Sequence, residues 1–323
     1  DIIAAQGVYD ELVDGEKIMF DQPPVSVDGR TMVPLRFVSE ALGAKVVWDD
    51  QNQTVWISAE IPPQLVMLTP ESYFETDIYP PAPMKTKNPI AALMHAAERN
   101  GLKVFMSCGF YGIWYHTKEN ITGEAVKERA FKAMKQLYEL YGDNKAFYGW
   151  YLPDETEINP YFDEDFIKYV NEYAEYGRSF NKNLKILIAP YGTRFACTDE
   201  HYIEQLKRLD CDIIAYQDEV GVEKSTTEET RVYFERLNKA HKIAGKSAIW
   251  ADMETFQCEG KVYFSNLIAA DSERVKKQME SISDYVDEII IYMYQGTMNP
   301  PDTKAMCGHQ DTVKLYTDLF LNN

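Results

Sequence analysis

The 323 residues predict an α/β chain, a (β/α)8 barrel of the TIM type behind a small N-terminal α+β module. Three observations predict it. From about residue 63 onward, apolar strand patterns alternate with amphipathic stretches long enough to be barrel helices. Two of those strands, Gly149-Trp150-Tyr151-Leu152-Pro153-Asp154-Glu155 and Ala248-Ile249-Trp250-Ala251-Asp252-Met253-Glu254, are aromatic and end in carboxylates. The ends of parallel strands are where such barrels keep their chemistry. Before Ile61-Pro62-Pro63 the elements are shorter and separated by tight turns, which marks a boundary between residues 1–60 and 61–323.

Size and composition agree with this division. One barrel takes roughly 250 residues, so the chain leaves room for one small companion. Hydrophobic residues make up 45% and aromatic residues 13%, enough for a packed core with rings left over for a ligand surface. A formal net charge of −18 repels phosphate backbones and anionic lipid, so nucleic acid is excluded as a partner and neutral or cationic polymers are favoured. Five scattered cysteines with no Cys-x-x-Cys spacing predict buried thiols rather than a disulfide framework or a zinc site. No apolar run approaches the ~20 residues of a membrane span, and no signal peptide heads the chain.

Within residues 1–60, Gly15 to Phe20 reads as a strand, Asp21-Gln22-Pro23-Pro24 as a turn, and Val25 to Arg30 as a strand entering a second turn. Leu35 to Leu42 has apolar residues at helical spacing and stops at Gly43, a suitable C-cap. Val46-Val47-Trp48 and Thr54-Val55-Trp56-Ile57 close the module as a hairpin, whose two tryptophans are placed to pack a small core. This order, with Val27-Asp28-Gly29-Arg30-Thr31-Met32-Val33-Pro34-Leu35-Arg36, Leu42-Gly43-Ala44 and Trp48-Asp49, resembles the copper amine oxidase N-terminal-like domain over about residues 8 to 58. The resemblance implies a stalk or attachment module on a Gram-positive surface protein, hence an extracellular or cell-surface location with the signal peptide removed. It does not imply copper, because the first histidine is His95 and no cysteine precedes Cys108.

In the barrel, strands are predicted at 65–69, 103–109, 147–155, 185–191, 212–218, 247–256 and 288–295. Helices are predicted at 90–100, 123–141, 164–181, 200–209, 228–244 and 271–285. Seven strands fall one short of eight, so a strand is expected either around 56–63 or as a missing or irregular first strand. With the first unseen, 147–155 is the fourth strand and 247–256 the seventh; their separation of three strands holds under any count.

That placement resembles the large clan A of retaining glycoside hydrolases, whose acid/base carboxylate ends the fourth strand and whose nucleophile ends the seventh. The resemblance implies Glu155 as acid/base and Glu254 as nucleophile. Retaining cleavage needs such a pair roughly 5 Å apart, one protonated to assist the leaving oxygen and one ionised to attack the anomeric carbon. The clan's Asn-Glu pair is here Asp154-Glu155, a departure at the position that normally meets the 2-hydroxyl. The Gly149–Glu155 run, Tyr216-Gln217-Asp218-Glu219-Val220-Gly221 and Trp250–Phe256 together resemble more closely a glycosidase-like barrel family carried as a domain of unknown function, over residues 63 to 323.

Around the two glutamates, substrate contacts are predicted from Trp150, Tyr151, Asp154, Tyr216, Gln217, Asp218, Trp250, Asp252, Tyr294 and Gln295, with Tyr111 and Trp114 on the third-strand loop. Amides and carboxylates suit sugar hydroxyls, and aromatic faces stack on the apolar faces of pyranose rings. Each has a plainer reading: a strand-end acid often only caps the next helix, and a ring at strand spacing often only packs. If Glu254 points inward, alternation puts Asp252 and Trp250 on the same side. No histidine pair has metal spacing, no Gly-x-Ser-x-Gly elbow or phosphate loop is present, and no cofactor or metal is expected. The function expected is hydrolysis of a glycosidic bond in a poly- or oligosaccharide by a retaining two-carboxylate mechanism. The alternative is a non-catalytic carbohydrate- or cell-wall-binding surface protein with a degenerate barrel.

Overall fold

The structure, a computed structural model, describes six short strands between residues 10 and 59, and residues 71–321 except 87, 108–110, 113–115, 302, 304–307 and 309–310. The chain forms two compact units, Asp1–Glu71 and Ser72–Asn323.

In the first unit, β1 (Asp10–Val13) pairs antiparallel with β2 (Glu16–Met19), β3 (Val25–Val27) with β4 (Arg30–Met32), and β5 (Ala44–Asp49) with β6 (Thr54–Ala59). The predicted final hairpin is β5–β6, in register Val47 to Trp56. The Val25–Arg30 segment is two strands rather than one, because Arg30–Met32 pairs antiparallel with Val25–Val27. The helix expected over 35–42 and the strand expected over 65–69 lie outside the described residues.

The second unit is built on a six-stranded sheet of parallel strands: β7 (Val104–Ser107), β8 (Phe147–Leu152), β9 (Lys185–Ile188), β10 (Ile213–Gln217), β11 (Ala248–Glu254) and β14 (Glu288–Tyr292), adjacent in that order. All six were expected from the sequence, and β11 lies three strands from β8. Between them run α1 (Pro89–Arg99, ahead of β7), α2 (Thr117–Thr122), α3 (Glu124–Tyr141), α4 (Glu164–Phe180), α5 (Glu200–Arg208), α6 (Thr227–Ala244) and α7 (Ser272–Ile282). Sequence signals stop and start them: Asp163, Asp199 and Asp271 cap α4, α5 and α7 by accepting backbone N–H groups. A reciprocal Thr226–Glu229 capping box opens α6, and Gly245 closes it at φ 64°. A hairpin of β12 (Phe256–Cys258) and β13 (Leu267–Ala269) follows β11 directly, and α8 (Tyr294–Thr297) and α9 (Thr312–Phe320) end the chain.

Each barrel strand is apolar on both faces, as a sheet covered by helices requires. One face packs outward on the helices through Trp150, Leu152, Ile186, Ile188, Ile214, Tyr216, Ile249, Ala251 and Met253. The other forms a separate inner cluster of Leu187, Ala189, Ile213 and Ala215, with Phe105, Tyr151, Ala248, Trp250 and Ile290 against it. This is a filled barrel interior, and the inner-face residues at the strand C-termini form its mouth. Of the cysteines, Cys211 is buried as expected, whereas Cys258 is half-buried and Cys197 is exposed in the loop before α5.

Candidate active site

Strand parity selects the inner-face side chains at the mouth. On β8 that residue is Tyr151, on β10 Gln217, and on β11 Asp252, which stands level with Gln217 in the ladder. Glu155, three residues beyond β8, completes the group: Tyr151 donates its hydroxyl to Glu155 Oε1 at 2.7 Å, and Gln217 Nε2 donates to Glu155 Oε2 at 2.8 Å. Gln217 Nε2 also donates to the Ala189 carbonyl, which holds the amide in orientation. Both oxygens of Glu155 are thus met by neutral donors, the arrangement an anionic carboxylate needs. Tyr151 stays a donor, because burial and the Glu155 charge raise its phenol far above the usual range.

Asp252, level with Gln217, lies near enough to feel the Glu155 charge. Burial first, then the charges of Glu155 and Asp218, push its carboxyl up to about 7. The site therefore holds two carboxyl groups in different environments, one supplied with donors and one favouring its proton, which is how a pair is divided into acid and base. Glu155 also lines a cleft of about 590 Å³ together with Thr117, Lys118, Glu157, Tyr161 and Tyr191.

Residues 63–305 match the family described as a domain of unknown function (DUF4434), three quarters of the chain. The chain belongs to this family. Residues 11–72 match the copper amine oxidase N-terminal domain. No curated protein matches. Among solved structures, an inferred alpha-L-fucosidase from Bacteroides thetaiotaomicron is similar in fold, with a TM-score of 0.59 at 15% identity over 73% of this chain and 72% of that one. An endo-beta-1,4-mannanase from Thermotoga petrophila aligns at a TM-score of 0.47 and 12% identity, over 73% of this chain and 63% of that one. The barrel of this DUF4434 member is thus a TIM barrel similar in fold to the first of these structures.

Within the DUF4434 barrel, Glu254 has a different setting from Glu155. Its carboxylate Oε2 accepts from the Val222 N–H at 2.9 Å in the loop after β10. Burial, then Asp218, pushes it up to about 8. Gly221 in that loop supplies space, since a Cβ there would lie 2.7 Å from the Phe256 carbonyl and 2.9 Å from Glu254.

Several residues predicted to meet substrate are corrected by their burial. Trp150 is fully buried on the outer face, against Phe147, Phe180 and Gly177 of α4. Tyr216 is likewise buried outward, its hydroxyl bonded to Tyr202 and to His241 Nε2. Asp154 points away from the mouth and accepts from Asn120 Nδ2 and the Tyr169 hydroxyl, with burial raising it to about 6. Asp218 is buried behind β11, where it accepts from the Glu254 N–H and from Gln278 Nε2. Trp250 belongs to the barrel interior, edge-on to Phe105. Tyr111 is buried and stacked on Tyr79, and Tyr294 opens α8, about half exposed. Trp114 and the Gln295 side chain lie outside the described residues.

Residues that sequence reading missed are Tyr191, beside Glu155 in the cleft, and Lys224, whose ammonium lies 5.5 Å from the Tyr191 ring centroid and 3.4 Å from Glu219. Tyr191 follows β9 in an ordinary aromatic strand ending, and Lys224 lies in a loop, so neither carried a motif. Among the described residues no cluster of His, Cys, Asp or Glu is placed to hold a metal. Residues 11–72 contain neither histidine nor cysteine, and their three methionines, Met19, Met32 and Met67, are scattered rather than clustered as a copper site would need.

Proposed function

We propose that this protein is a glycoside hydrolase whose working carboxylates are Glu155 and Asp252. The observation that carries the reading is the pair itself: Glu155, supplied by the Tyr151 hydroxyl and the Gln217 amide, and Asp252, level with Gln217 in the ladder and pushed up to about 7 by burial and the Glu155 charge. A glycosidic bond breaks when a protonated carboxyl assists the leaving oxygen and an ionised one attacks the anomeric carbon or activates water. Asp252 is suited to the first role and Glu155 to the second. The sequence resemblance assigns the partner role to Glu254. Asp252 is favoured because its titration feels Glu155, whereas the charges that act on Glu254 are Asp218 and Glu219. The similarity in fold to an inferred alpha-L-fucosidase supports sugar chemistry in general and no particular sugar.

The test is hydrolysis of a panel of aryl glycosides and polysaccharides by the native protein and by Glu155→Gln, Asp252→Asn and Glu254→Gln. The first two are expected to lower kcat by about 10² to 10⁴-fold, the usual worth of a positioned acid or base. A loss confined to Glu155→Gln and Glu254→Gln would restore the sequence assignment. Polysaccharide binding without turnover in all four proteins would favour a catalytically silent binding protein. The anomer first released distinguishes retention from inversion. The copper amine oxidase N-terminal domain over 11–72 supports an extracellular or cell-surface setting, with the module as an attachment element. Surface labelling of intact cells tests that placement.

A further inference from the structure

The hairpin β12–β13 carries a ring pair that the catalytic reading leaves unused. Its loop, residues 259–266, is closed by Glu259 N–H to the Asn266 carbonyl, and the Lys261 carbonyl accepts from both the Phe264 N–H and the Ser265 hydroxyl. At the tip Tyr263 and Phe264 are 65% and 78% exposed, among the most exposed large side chains described. Tyr263 is held at φ 66°, a conformation that a tyrosine rarely adopts. The tip is joined to the mouth of the barrel by one residue. The Lys224 ammonium lies 5.5 Å from the Tyr191 ring centroid and 5.7 Å from that of Tyr263. Tyr191 in turn lines the cleft with Glu155.

We propose that the cleft continues from Glu155 over Tyr191 and Lys224 to Tyr263 and Phe264, as an aromatic subsite for a distal ring of a neutral oligosaccharide chain. The proposal rests on the glycosidase reading and adds the class of substrate. Pyranose rings present apolar C–H faces that stack on exposed aromatic rings. A track running outward from the carboxylates serves a chain of several sugars rather than a single residue. Charge selects a neutral chain. Glu155, Glu157 and Asp163 line the cleft, and its cations are already engaged, Lys118 by Asp163 and Asp165, Lys224 by Glu219. An acidic polymer would meet carboxylates along the cleft, whose described lining residues offer no unpaired cation, and only at the tip would it meet Lys261, whose ammonium lies 4.5 Å from the Phe264 ring centroid.

The experiment compares the native protein with a Tyr263→Ala/Phe264→Ala double variant, by calorimetric binding to galactomannan, arabinoxylan, mixed-linkage β-glucan and anionic polygalacturonate. Hydrolysis of the same polymers and of short aryl glycosides is followed in parallel. The variant removes only exposed side chains, and its thermal melt checks that the fold is kept. The expected result is binding of at least one neutral polymer by the native protein and about tenfold weaker binding by the variant, with aryl glycoside turnover within twofold of native. Equal polymer binding by the two proteins, no native binding to any neutral polymer, or preference for polygalacturonate would each overturn the proposal. Binding lost in the variant, with no hydrolysis by the native protein, would instead overturn the catalytic reading and leave the subsite standing.

Discussion

Tyr151 shows how one atom sets the character of the mouth. Its hydroxyl reaches Glu155 at 2.7 Å from within the same strand-to-loop segment, while Gln217 arrives from a strand two places away in the sheet. Removing the hydroxyl in Tyr151→Phe takes one of two donors from the Glu155 carboxylate. A preorganised donor to a charge that matters in the transition state is worth about 10²-fold or more in kcat, so kcat should fall by that order with KM little changed, as steady-state kinetics on an aryl glycoside would read. An unchanged kcat would remove Tyr151 from the mechanism. Asp252 makes a second statement at this scale. Its carboxyl, raised to about 7 by burial and by Glu155, is protonated below that pH and loses its proton above it. As the acid it should give kcat/KM an alkaline limb near pH 7. Glu155→Gln removes one of the charges that raise Asp252, so any residual activity should lose that limb at lower pH.

The end of β11 is the element on which the site depends. Two elements grip its last residue: Asp218 beyond β10 accepts the Glu254 N–H, while Gln278 and Arg274 of α7 donate to the Glu254 carbonyl. Arg274 also donates to the Phe256 carbonyl at 2.5 Å, which fixes the exit into the hairpin. Asp218 is therefore a support for the strand end, not a ligand contact. Asp218→Ala would leave the buried Glu254 N–H and one of the two Gln278 amide hydrogens without their acceptor, each costing about 1–3 kcal/mol. The expected loss is about 2–4 kcal/mol in urea unfolding. A loss below about 1 kcal/mol would mean that water or Gln278 repacking replaces the carboxylate. Element boundaries were largely legible in the sequence, because Asp163, Asp199, Thr226, Asp271 and Gly245 each satisfy or end a helix by a local rule. Which face of each strand looks inward was not. Trp150 and Tyr151 are equally aromatic, Ile213, Ile214 and Ala215 are all apolar, and a strand covered on both sides carries no alternation to read.

At the scale of the molecule, the buried acids make the fold sensitive to alkali. Asp154 and Asp218 are raised to about 6, Asp252 to about 7 and Glu254 to about 8, all chiefly by burial. A carboxyl raised above its unfolded value binds its proton more tightly in the native state, so its contribution is present below about pH 4 and is lost as pH rises through the folded value. His241 acts in the opposite sense: burial lowers it to about 4, so stability from it is lost as pH falls from its ordinary 6.5 toward that value. Above about pH 6.5 only the carboxyl effect remains, and the melting temperature should fall between about pH 6.5 and 8.5. Thermal melts of the native protein and of Glu254→Gln would read it, the variant having a shallower decline; a melting temperature that rises over that range would contradict the burial of these acids. By itself the sequence determined the alternation of strands and helices, the N-terminal module and the family, because each depends on residues close together in the chain. The company of Glu155 was decided by the tertiary structure. Gln217 lies 62 residues away, and only the order of parallel strands and the inward parity of their last residues bring its amide to that carboxylate with Asp252 alongside.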